Sequence, residues 1–210
     1  MLETFEVLKN HIEKALIEFS SEENLETLLE AKREYFSLTG QANEEDEDFE
    51  SRMNSFNDWY VLQFVSNKRT RTIIKEYIKK YSLSEDLGDC LMSVNHSLFE
   101  YTGKNLRRCD VLKDILHDKK IALPKEFPKP ALIKGDLFVG RVISMGEQNF
   151  LLDGLAILPS EVKTTLKKQS KKVRKLKETH EEFKFLMQIE SLKNKWLRYG
   201  HIDVNKIFQF

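Results

Sequence analysis

Cysteine is scarce: the 210-residue chain has only Cys90 and Cys109. Two thiols cannot supply a disulfide framework or a cysteine-rich zinc site, and both read as small buried hydrophobes. Proline is sparse too, and three of the four prolines (Pro124, Pro128 and Pro130) fall in one connector suited to an extended surface path. The eight glycines are scattered. No GxxxxGK[ST] or GxGxxG occurs, so the usual phosphate-cradling loops are excluded. There is no HExxH and no Cys-x-x-Cys, and the five histidines (His11, His96, His117, His180 and His201) show no metal-ligand spacing with carboxylates. The pattern calls for no metal and no cofactor. No run approaches the roughly 18 apolar residues of a membrane span. The opening MLETFEVLKNHIEK carries Glu3 and Glu6 where a secretory leader has bases. These absences predict a cytoplasmic chain without a membrane partner.

What is present is an ordinary globular mixture, 40% hydrophobic and 32% charged. Bases and acids balance at 34 each, yet unevenly along the chain. Residues 1–60 hold 16 acids against 5 bases, and residues 61–210 hold 18 acids against 29 bases. Such halves either attract one another within the fold or leave a basic surface for a partner.

Hydrophobic spacing organises the first 96 residues as helices. Leu2, Phe5, Leu8, Ile12, Leu16 and Phe19 recur at three and four residues. Ser20 and Ser21 then signal a second helix bearing Leu25, Leu28, Leu29, Tyr35 and Phe36, stopped by Gly40. The short link predicts that these two form an antiparallel hairpin. The acidic run Glu44–Glu50 is expected in the first turn of a third helix, where acids favour the positive dipole end. That helix carries Phe49, Met53, Phe56, Tyr60 and Phe64, with Trp59 and Leu62 widening the stripe. Two shorter helices follow, over 70–81 and from Ser82 or Ser84 to about Val94.

At Ser97 the period changes to that of strands. SLFEYTGKNLRRCDVLKDILHDKKIALP predicts three strands with turns near Gly103 and Asp118. DLFVGRVIS is a further strand, its Gly140 marking a bend or a close backbone approach. Asp153-Gly154, between NFLL and LAIL, reads as a type I′ hairpin. Helices resume after Pro159 and Ser160, with a last one over 179–199. The expected class is α+β: a small antiparallel β-barrel or curled sheet flanked by N-terminal helices and a C-terminal helical pair. The regions are 1–96 helical, 97–160 β, 161–200 helical and a tail at 201–210, packed as one unit.

Between Lys163 and Lys177 lie eight bases and no acid, over a thin seam of Val162, Leu166, Val173 and Leu176. Such a helix can neutralise several phosphates. It can equally be a solvated face lying near the acidic N-terminal half. An anionic membrane is disfavoured because the seam lacks aromatics. His96 reads as a backbone-satisfying residue at the entry to the sheet, and a nucleophilic role for Cys90 or Ser97 would need a base within reach.

Two family likenesses sit on these residues. GDLFVGRVI…LLDGLAILPSE resembles the opening strands of the S-one-type oligonucleotide-binding barrel. That likeness implies Phe138 and Phe150 as base-stacking residues and Arg141 as a phosphate or stacking contact. It covers about 28 residues, and a lysine-rich helix stands where the closing strands should follow. A longer stretch, from Phe56 to about Val162, is similar to an uncharacterised bacterial family, some of whose members carry a zinc motif like the SecA C-terminus. It rests on FNDWYVLQF, TIIKEYIKKYSLSE, SLFEYTGKNLRRCDVLKDIL, IALP, KGDLFVGRVI and LAILPSEV in that order. The cysteine-rich zinc tail is absent, so no metal role transfers.

The functional expectation is a non-enzymatic interaction or adaptor protein with an unidentified protein partner. The alternative is nucleic-acid (RNA) binding through Phe138, Arg141 and Phe150 on a barrel face together with Lys163, Lys167, Lys168, Lys171, Lys172, Arg174 and Lys175 of the basic helix. No catalytic residue is assigned; an enzyme would need a pocket holding at least two convergent polar groups.

Overall fold

The fold comes from a computed structural model. It is described for residues 2–128 and 131–210, with side chains from residue 4 onward. Leu2 of the first apolar stripe and Pro130 of the connector therefore lie outside the described side chains. Five helices lead the chain: α1 (Leu2–Phe19), α2 (Leu25–Thr39), α3 (Phe49–Leu62), α4 (Ile73–Tyr81) and α5 (Glu85–Met92). The strands are β1 (Asn95–Lys104), β2 (Asp110–Asp114), β3 (Lys119–Ala122), β4 (Leu137–Met145), β5 (Gln148–Leu151) and β6 (Ala156–Leu158). Three helices close it: α6 (Lys163–Leu176), α7 (Thr179–Arg198) and α8 (Val204–Ile207). The expected α+β class holds.

All pairings are antiparallel, in the order β3-β2-β1-β4-β5, with β6 on β4 as well. The sheet curls into a half-barrel, and the Asn149 side chain of β5 donates to the Ala122 carbonyl of β3 at 3.2 Å. Period-two alternation then sorts the side chains. Phe99, Leu112, Phe138 and Val142 fill the inside of the curl. Leu98, Leu137 and Val139 point outward under Leu166 of α6 and Phe185, Leu186 and Ile189 of α7. A third, aromatic-rich cluster joins α1 to α5 with Ile143 and Phe150 of the sheet and Met187 of α7. The apolar core thus runs across all three regions.

Several expectations change. Asp153-Gly154 is no hairpin: β5 pairs with Val142–Met145 and β6 with Leu137–Val139, both along the same edge of β4. The dipeptide is the link that carries the chain past Gly140 and Arg141. Gly154 is required there because a Cβ would lie 2.6 Å from the Ser55 Cα of α3. Gly103 sits in a β-bulge of β1 at φ +89°, and the turn to β2 comes after Lys104. The predicted turn at Asp118, φ +60°, does occur. Helices α1 and α2 do not form the predicted hairpin. Helix α1 packs on α3, α4 and α5, while α2 lies along α7 and α3. The reason is in α2's polar anchor: Tyr35 donates to Glu190 of α7, while Leu25 and Leu29 stay exposed. Most of the acidic run precedes α3, and of its acids Glu50 lies in the first turn. Asp46 there accepts from Arg52 and Asp48 from Lys193, at 3.4 and 2.6 Å.

Candidate functional site

Helix α6 divides its bases into two sets. The buried seam is Leu166 and Ser170, with Val173 partly covered. Successive helical residues turn by about 100°, so each face of α6 has a distinct environment. Lys163 and Lys167 grip the Glu100 carboxylate of β1 at 2.7 and 3.0 Å. Burial alone would raise the Glu100 pKa, but those two hydrogen bonds outweigh it and hold the acid below its usual value. Arg174 lies 3.6 Å from Asp118, which Lys113 also engages. On the face opposite the seam stand Lys168, Lys171, Lys172 and Lys175, all exposed. Among the described residues none of these four has an acidic partner.

Beneath the outward face of the sheet lies a second feature, a buried charged cluster. Arg141 of β4 is 0% exposed, the largest fully buried side chain among the described residues. Its Nε donates to Gln63 Oε1 at 2.7 Å and its Nη1 to Ser55 Oγ at 3.1 Å, both near α3. Tyr35 Oη donates to Glu190 Oε2 at 2.6 Å and approaches Ser55 Oγ at 3.0 Å. His96 stands directly across from Arg141 in the β1–β4 register, its Nε2 3.9 Å from Glu190 Oε1. Burial raises the pKa of Glu190, opposed by Arg141 and Tyr35; it also raises Asp58 to about 7. Burial, and then the Arg141 charge, hold His96 well below the ordinary imidazole value, so it is neutral. Both His96 ring nitrogens, Arg141 Nη2, Glu190 Oε1 and Asp58 Oδ2 are buried without a hydrogen-bond partner.

A groove of about 160 Å³ opens beside His96 and is bordered by Gln63, Asn95, His117, Glu182 and Phe183. Here Ser97, Asp114 and His117 meet, but not in the order of a nucleophilic triad. Ser97 Oγ donates to Asp114 Oδ1 at 2.6 Å, and His117 Nδ1 meets Asp114 Oδ2 at 2.9 Å. In a triad the imidazole takes the serine proton; here the Asp114 carboxylate accepts it, and His117 Nδ1 lies farther from Ser97 Oγ, at 3.4 Å. Hydrogen bonding to Asp114 raises the His117 pKa, with burial opposing. Its Nε2 is 3.5 Å from Glu182. Cys90 is buried and its thiol is pushed up to about 11, whereas Cys109 is half-buried rather than buried as expected. Among the described residues no group of three or more His, Cys, Asp or Glu could hold a metal ion.

Three of the candidate site residues move from surface to core. Phe138 is 0% exposed and packs on Phe99 inside the curl, ring centroids 5.5 Å apart. Phe150, 1% exposed, stacks on Phe5 of α1 at 5.6 Å. Arg141 is buried as described. The two phenylalanines belong to different clusters, so they do not form a shared, open stacking platform. Of the helical candidates, Lys168, Lys171, Lys172 and Lys175 remain exposed and free of acids, while Lys163, Lys167 and Arg174 are engaged with the sheet. Sequence reasoning missed Tyr35, Gln63, Asp114 and Glu190. Only an arginine set within the apolar run LFVGRVI hinted at a buried charge.

Fold and sites together define a class: an α+β protein with a curled antiparallel sheet, an internal charged cluster and a lysine-faced helix outside it. The chain belongs to DUF7986, a family of unknown function, whose model matches residues 6–193. No curated protein and no solved structure matches it. Among the described residues no helix is long and apolar enough to cross a membrane.

Proposed function

We propose that this chain is a non-enzymatic, cytoplasmic interaction protein whose partner is a nucleic acid, RNA in the first instance, docked on α6. One observation carries this: Lys168, Lys171, Lys172 and Lys175 share one exposed face with no acid beside them, while the other bases of the helix serve the fold. Seven residues of helix span about 10 Å, so the four ammonium groups can meet several phosphates of one strand. Neutralising four phosphates of a single strand gives a slope of log affinity against log salt of about −2.8.

The test is retention on single-stranded RNA across a salt series, for the wild type and a variant with Lys168, Lys171, Lys172 and Lys175 all changed to Gln. Binding at low salt that falls steeply with added salt, and is lost in the variant, supports the proposal. No retention of the wild type at low salt overturns it and returns the protein-partner alternative.

A further inference from the structure

We infer that the groove beside His96 receives one unpaired base of the nucleic acid held on α6, a step that rests on the function proposed above. The two features adjoin. Arg174, in the last turn of α6, reaches Asp118, whose chain neighbour His117 borders the groove. Lys175 is four residues from Thr179, the first residue of α7 and part of the groove's rim. The short turn between α6 and α7 thus joins the end of the lysine-bearing helix to the groove's rim.

The lining suits an uncharged planar ring with donors and acceptors along its edge. Gln63 gives its amide oxygen to Arg141 and keeps its NH2. Asn95 gives its NH2 to Asp114 and keeps its oxygen. Paired carboxamides are groups that read nucleobase edges. The His96 side chain, 4% exposed and without a partner on either nitrogen, offers one donor and one acceptor as a neutral imidazole. Phe183 supplies an apolar wall, and single-stranded bases are bound by such walls together with hydrogen bonds to their edges.

Charge and size exclude the other ligands. His117 stands between Asp114 and Glu182, at 2.9 and 3.5 Å, so the charged groups of the lining are already paired with one another. The lining holds no lysine or arginine to grip an inorganic anion, and among the described residues no group of three or more His, Cys, Asp or Glu could hold a metal ion. The groove holds the volume of about five waters, room for one ring system and not for a paired helix.

Thr179 is exposed at the rim, so Thr179→Trp fills the groove without entering the core. Its binding is compared with wild type on three probes: a short single-stranded RNA, a blunt RNA duplex, and inorganic polyphosphate, which has no bases. Thr179→Trp is expected to weaken single-strand binding about tenfold, the effect of one lost base contact, while duplex and polyphosphate binding stay as in wild type. In a measurement that needs no variant, free adenosine should saturably shift the imidazole proton resonances of His96 and His117. Unchanged single-strand affinity in Thr179→Trp, equal weakening on all three probes, or no adenosine-induced shift overturns the inference and leaves the lysine face in place. Failure of the wild type to bind any of the three at low salt removes both proposals.

Discussion

At Gly154 there is no room for a side chain: a Cβ would meet the Ser55 backbone and the Asp58 carboxylate at 2.6–2.7 Å. The backbone there has no positive φ, so closeness and not turn geometry selects glycine. Gly154→Ala is expected to destabilise by about 1–3 kcal/mol, the usual cost of overpacking, as read in urea unfolding. A loss well under that range would mean α3 can move aside. Asp58, beside it, gives a pH signature. Burial raises its pKa to about 7 against the opposing Arg141 charge and the Gly154 amide. An unfolded aspartate ionises near 3.8. Between those values the unfolded chain carries a charge the fold resists, so this group's contribution to stability falls as pH rises from about 4 to 7. Asp58→Asn keeps an oxygen for the Gly154 amide and removes the charge. It should gain stability relative to wild type across that window, and a difference that stays flat with pH would refute the assignment.

At the scale of the element, α6 is held by its thin apolar seam and by Glu100. That single carboxylate occupies Lys163 and Lys167, two bases that otherwise belong to the charged surface. Glu100→Gln is expected to release them. RNA binding should then strengthen, and its salt slope should steepen by about 1.4, the share of two further phosphates. Anisotropy titrations over a salt series measure this, and an unchanged slope would show that both lysines stay bound to the sheet.

The elements also show what was legible in the sequence. Helices α3, α4 and α7 follow from apolar spacing, because burial of one stripe leaves a period that reads directly. The lysine face was equally visible, since an unbroken run of bases needs no tertiary knowledge to be found. Partner choice was not visible. Nothing local in EAKREYFSLTG shows that Tyr35 will bond Glu190, 155 residues on, and so draw α2 away from α1. The Asp153-Gly154 signal failed because a glycine selected by the approach of α3 has the same letter as one selected for positive φ. Phe138 and Phe150 failed because a strand covered on both faces gives no alternation to mark an exposed side. The charged cluster draws on α2, α3, β1, β4 and α7, a combination only the folded chain assembles.

For the whole molecule, that cluster sets the unit of folding. Glu190 comes from α7, and its partners Tyr35 and His96 come from the N-terminal helices and the sheet. Removing residues 161–210 would take Glu190 from Tyr35 and from the buried charge of Arg141, leaving Ser55 and Asp58 as their remaining polar neighbours. It would also uncover Leu98, Leu137 and Val139, now packed beneath Leu166, Phe185, Leu186 and Ile189. Leaving the buried Arg141 with less opposing charge is destabilising in itself, before the lost apolar burial is added. Residues 1–160 alone are therefore expected to lack a cooperative transition in urea and to lack near-ultraviolet dichroism from Trp59. The full chain should lose its helical and aromatic signals together. A sharp, reversible transition in the 1–160 fragment would show instead that α6 and α7 are an appendage laid on a self-sufficient half-barrel.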